Sequence, residues 1–86
     1  MPQISEFFGI QIYMYWNDHQ PAHFHAKYGS LEALVDIEEG VVLNGALPAR
    51  QLKLVLAWAE LHRDELLQNW EKCRQHEMPA RIEALK

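Results

Sequence analysis

The spacing of apolar positions changes from a period of two to a period near 3.6 at about residue 48, and the first half is strand-like. Residues 7–16 read Phe-Phe-Gly-Ile-Gln-Ile-Tyr-Met-Tyr-Trp. The run is rich in β-branched and aromatic side chains and too short for a typical helix, so it predicts a first strand. Ile10, Ile12, Met14 and Trp16 fall on one face, Gln11, Tyr13 and Tyr15 on the other. Turn-forming residues from Asn17 to Ala22 follow. Residues 23–28 then alternate, with Phe24, Ala26 and Tyr28 on one face and His23, His25 and Lys27 on the other. Gly29-Ser30 suits a two-residue type II′ turn, because glycine accepts the positive φ of the first central position. A third strand is expected over 31–38, with Ala33, Val35 and Ile37 on its apolar face. A tight turn at Glu39-Gly40 leads to a fourth strand over 41–44.

The Gly29-Ser30 turn fixes a register. Tyr28 pairs with Leu31, Lys27 with Glu32, Ala26 with Ala33, Phe24 with Val35 and His23 with Asp36. Apolar meets apolar on one side at every pair, and Lys27 meets Glu32 on the other. If the first strand returns with matching parity, Tyr15 lies beside His23 and Tyr13 beside His25.

From Pro48 the pattern is helical. Leu52, Val55, Leu56, Ala59, Leu66, Trp70 and Cys73 form one stripe, and Leu54, Trp58 and Leu61 a second. The spacing predicts one long helix over 48–75, about 40 Å in length. That length overhangs a small sheet, so a break near His62 to Asp64 is the alternative. The apolar girth of the first half exceeds what one sheet face needs. Either the sheet wraps around it or another chain covers the excess. The tail, 78–86, carries Ile82 and Leu85, which either dock or fray. The expected architecture is α+β: a four-stranded antiparallel meander, order 1-2-3-4, with one long C-terminal helix packed on one face.

Composition narrows the class. Eighty-six residues, 49% of them hydrophobic, fit a single domain over 1–86. Cys73 is the only cysteine, which excludes an internal disulfide and a Cys-rich zinc site and suits a reducing cytoplasm. It reads as a small buried hydrophobe. No apolar run is long enough to span a membrane. The formal net charge of −4 disfavours a nucleic acid as the main partner.

Candidate chemistry concentrates in Asn17-Asp18-His19-Gln20-Pro21-Ala22-His23-Phe24-His25, which holds three of the five histidines. His23 and His25 leave one strand face about 7 Å apart. With His19 or Asp36 as a third ligand they suit a divalent transition metal such as zinc. Without a metal, His23 oriented by Asp36 is a general base and His25 or His19 the acid, an arrangement able to cleave RNA. The plainer reading makes them half-exposed sheet residues hydrogen-bonded to Asp36, Tyr13 and Tyr15. A face mixing Tyr13, Tyr15, Leu34 and Leu43 with histidine also suits protein binding. His62-Arg63-Asp64-Glu65 reads as a solvated helix face, and Trp58 and Trp70 as core or interface residues.

Met1-Pro2-x-Ile4, Phe8-Gly9-Ile10, the stretch from Asn17 to Gly29 with its Asn-Asp-His-x-Pro-x-His-Phe-His motif, and Trp58-Ala59-x-Leu61-His62-Arg63-x-Glu65-Leu66-x-x-Asn69-Trp70 resemble the bacterial DUF4160 family. The resemblance runs from Met1 to about Leu85. Members typically carry a second proline where this chain has Ala22. The resemblance implies a gene beside a second small gene, an arrangement like toxin–antitoxin pairs. It therefore implies a partner-binding component of a two-gene module, or an RNA-directed toxin, and it supplies no catalytic residues. The expected partner is the neighbouring gene's small protein, or a second copy docking through the apolar helix face.

Overall fold

A computed structural model of the chain describes residues 3–16 and 19–86. Five strands come first: β1 (Gln3–Phe7), β2 (Ile10–Tyr13), β3 (His23–Tyr28), β4 (Leu31–Asp36) and β5 (Val42–Gly45). Two helices follow, α1 (Ala49–Leu61) and α2 (Arg63–Arg74). The strands form one antiparallel meander in the order β1-β2-β3-β4-β5.

The α+β class and the antiparallel meander are as the pattern predicts. The strand count is not: five strands replace four. The run 7–16 is not one strand, because the chain reverses at Phe8-Gly9, where both residues have positive φ (49° and 76°). That is the type I′ pattern, whose twist matches paired strands. A bulky aromatic is an uncommon first residue for it, so the turn hides inside an apparently continuous apolar run. Trp16, expected on the inner face, is instead exposed, and its Nε1–H donates to the Glu77 carbonyl at 3.1 Å.

The β3–β4 register is the predicted one at every pair from His23↔Asp36 to Tyr28↔Leu31. Gly29 has φ +59° and Ser30 does not share a positive φ, as a type II′ turn requires. The third strand stops at Asp36 rather than residue 38. The Glu39 amide donates to Asp36 Oδ1 at 2.8 Å and the Gly40 amide to the Asp36 carbonyl at 2.9 Å, which closes a turn two residues early. A bulge sets Leu43 out of step: Leu34 pairs with Asn44 and Val35 with Val42.

The predicted long helix is two helices, broken at His62 (φ −114°, ψ 26°). The break falls at the alternative position read from the sequence. It leaves the amide ladder running, since His62 N–H reaches the Trp58 carbonyl and Leu66 N–H the His62 carbonyl. A kink at this point lets a helical length that overhangs the sheet fold back against it. Asp64 and Glu65 sit in the first turn of α2, where the helix dipole favours acids.

The core gathers from every element. Trp58 is fully buried, with Phe7 and Phe24 at ring distances of 5.3 and 5.7 Å. The apolar excess of the helix, expected to meet either a wrapping sheet or another chain, is covered at Trp58 by the tail. Trp58 Nε1–H donates to the Glu83 carbonyl at 2.8 Å, and Ala84 and Leu85 pack against the core. Asn69 holds Ala80 from both sides, donating to its carbonyl at 2.8 Å and accepting from its amide at 2.9 Å. Beyond it Ile82 is buried, and its amide reaches the Ile4 carbonyl of β1 at 2.8 Å. The tail therefore docks. Leu61 remains 70% exposed. Among the described residues no helix is long and apolar enough to cross a membrane.

Candidate functional site

The outer sheet face is set by the period-two alternation of β3. Phe24 and Ala26 turn inward and are fully buried, which forces His23, His25 and Lys27 outward. β2 supplies Tyr13 opposite His25, and β4 supplies Leu34 and Glu32. Tyr15, just beyond β2, lies against His25 with ring centroids 4.5 Å apart, edge to face. It was expected beside His23, but the chain leaves the ladder after Tyr13.

Two imidazoles converge. The rings of His23 and His25 are 5.3 Å apart. His23 is buried at the start of β3, where its Nδ1–H donates to the Pro21 carbonyl at 2.8 Å. Its ring also lies 5.2 Å from that of Trp70 on α2. His25 is half-buried, and its Nδ1–H donates to Glu32 Oε2 at 2.9 Å. Both rings are thus oriented through Nδ1.

Asp36 faces His23 in register, as predicted, and is buried. Its Oδ1 accepts from the Glu39 amide, and on the neighbouring ring Glu32 is the carboxylate that His25 Nδ1–H reaches. Register alone sets Glu32 opposite Lys27, but a diagonal neighbour lies within reach of a long side chain, and His25 is that neighbour. His19 is exposed, in the loop before β3. Asn17 and Asp18 lie outside the described residues. Among the described residues, no three His, Cys, Asp or Glu side chains gather to hold a metal ion.

Lys27 takes a different place. Its ammonium sits 4.8 Å from the Tyr13 ring centre and 5.9 Å from that of Tyr15. The two tyrosine rings are parallel within 3° at 6.1 Å. The Tyr15 hydroxyl raises the Lys27 pKa above the ordinary 10.5, with Glu32 a smaller contributor in the same direction. Tyr15 therefore joins the histidine pair to the lysine in one half-buried patch.

A second histidine site lies on the helices. His62 Nδ1–H donates to Glu65, and its ring rests 5.6 Å from Trp58. Depressions of about 390 Å³ flank it, one between Glu60 and Glu65 and one against tail residues 83–86. The segment read as a solvated face thus has one member, His62, turned toward the core aromatic.

Comparison with curated proteins and comparison with solved structures each find no match. Residues 9–71 match a family model described as a domain of unknown function, DUF4160. The matched span holds the sheet from β2 onward, the histidine stretch, α1 and most of α2, and it is shorter than the resemblance drawn from Met1 to Leu85. The match takes in well over half of the sequence, and the chain belongs to the DUF4160 family.

Proposed function

We propose that this protein is a partner-binding component of a two-gene regulatory or toxin–antitoxin-like module, acting in the cytoplasm and docking a small protein on its outer sheet face. The observation that carries the reading is the Tyr13–Tyr15–Lys27–His25 patch. It is half-buried, held rigid by ring and cation contacts, and lies on the face opposite the one that receives Trp58. Aromatic side chains with few rotamers lose little entropy on binding and dominate interface energetics. Leu34, paired with His25 in register, extends the apolar part of the face. Co-expression with the neighbouring gene product tests this. Co-purification is expected, and Tyr15→Ala is expected to weaken it by about 30-fold, as for a hot-spot residue. A clean separation of the two wild-type proteins overturns the reading.

A second reading rests on the 5.3 Å approach of the His23 and His25 rings. Two oriented imidazoles, one backed by Glu32, suit metal-free acid–base hydrolysis, with RNA as a substrate whose own 2′-hydroxyl is the nucleophile. His25 is the base and His23 the acid. Cleavage of single-stranded RNA is expected to follow a bell-shaped pH profile and to vanish in His25→Ala and His23→Ala. Equal cleavage by wild type and variants assigns the activity to a contaminant.

A further inference from the structure

The two edges of the sheet are treated differently. The outer edge of β1 is closed by the tail, through Ile82 N–H to the Ile4 carbonyl and Arg81 Nη1–H to the Gln3 carbonyl at 3.2 Å. Among the described residues, β5 is the last strand on the other side and pairs only with β4. Three of its four residues are exposed. Among the described residues, no backbone bond from another segment reaches its outer edge. Native proteins blunt such an edge with lysine, proline or inward-pointing charge. Val42-Leu43-Asn44-Gly45 has none of these. Its one device is the bulge at Leu43, which bends the strand without charging it. The surroundings are apolar too: Val41 is 50% exposed, Leu31 46% and Leu43 43%.

We propose that β5 is the seam of a homodimer, in which the β5 strands of two copies pair antiparallel across a two-fold axis and join two five-stranded sheets. A second copy fits this edge for a reason of charge. An uncharged strand meets an uncharged strand, so the net charge of −4 on each copy does not act at the seam itself. Antiparallel pairing sets residues that precede β5 in one copy beside residues that follow it in the other. Glu38 and Glu39, exposed at the β4–β5 turn, therefore approach Arg50 and Lys53 at the start of α1 in the second copy. The two-fold repeats this attraction on both sides, as an isologous interface requires. The seam is distinct from the outer-face patch of the proposed partner site and from the helix face that carries Leu61.

Sedimentation equilibrium on the purified chain tests the proposal. A short seam buries little area, so a micromolar dimer is expected. Leu43→Lys places like charges across the axis and is expected to raise the dissociation constant at least tenfold, with the circular dichroism spectrum unchanged. Glu39→Arg is expected to weaken the dimer, and adding Arg50→Glu in the same chain to restore it. Leu61→Lys, on the exposed helix face, is expected to change nothing. A wild-type chain that stays monomeric to about 100 µM, above the micromolar range of the proposal, overturns it. So does a dimer that survives Leu43→Lys or is lost in Leu61→Lys.

Discussion

Single residues carry sharply different tolerances in this fold. Gly45 has φ +79°, and a Cβ added there would lie 2.1 Å from the Glu32 carbonyl oxygen. Gly45→Ala is therefore expected to cost more than about 2 kcal/mol, from left-handed strain plus a backbone clash, read as a lower urea midpoint. Ser5 gives the opposite sign. It is 1% exposed and its Oγ has no hydrogen-bond partner among the described residues. Ser5→Ala removes an unsatisfied buried polar group and is expected to stabilise the protein by about 1 kcal/mol, raising Tm by roughly 4–8 °C. Lys27 links stability to alkaline pH. Its folded pKa is raised above 10.5, chiefly by Tyr15, so its contribution is complete below 10.5 and is lost as pH rises through the raised value. The difference in Tm between wild type and Lys27→Met is expected to close over that alkaline range. The lysine side chain is half-buried but its ammonium is solvated, so the difference is small and salt-sensitive.

At the scale of elements, the tail depends on Asn69 as much as on its apolar residues. Asn69→Ala removes both hydrogen bonds to Ala80 and is expected to cost about 2–3 kcal/mol. Hydrogen exchange should then show the Ile82 amide losing protection before the β3 and β4 amides do. What was readable beforehand follows from this distinction between local and distant determinants. The β3–β4 hairpin was legible residue by residue, because Gly29 fixes a local turn and alternation fixes the faces. The β1–β2 hairpin was hidden because its turn uses Phe8, a residue type that rarely adopts positive φ. The docking of the tail was open because its partners, Ile4, Trp58 and Asn69, lie far away in sequence. For the candidate site, register brought His23, His25 and Asp36 together, but register constrains Cα pairs only. The hydrogen bonds that redirect Asp36 to Glu39 and Glu32 to His25 are choices among neighbours within reach.

For the whole molecule, the sheet presents one face to Trp58 of α1 and carries Tyr13, Tyr15, His25, Lys27 and Glu32 on the other, with His23 at the margin where Trp70 of α2 reaches it. The metal reading becomes a measurement on untagged protein. If His19, His23 and His25 hold zinc, the ion raises Tm in a concentration-dependent way that His23→Ala abolishes. An unchanged Tm counts against that reading and leaves the acid–base and partner readings standing. The covered edge of β1 also bears on how the chain is made. Arg81 is 78 positions from Gln3, so during synthesis β1 emerges from the ribosome long before the tail that shields it. A nascent chain passes through a stage with both sheet edges open, where the finished chain has one. Its exposure to misassociation ends only when residues near Ile82 have emerged, so translation rate through the helical half sets how long that stage lasts.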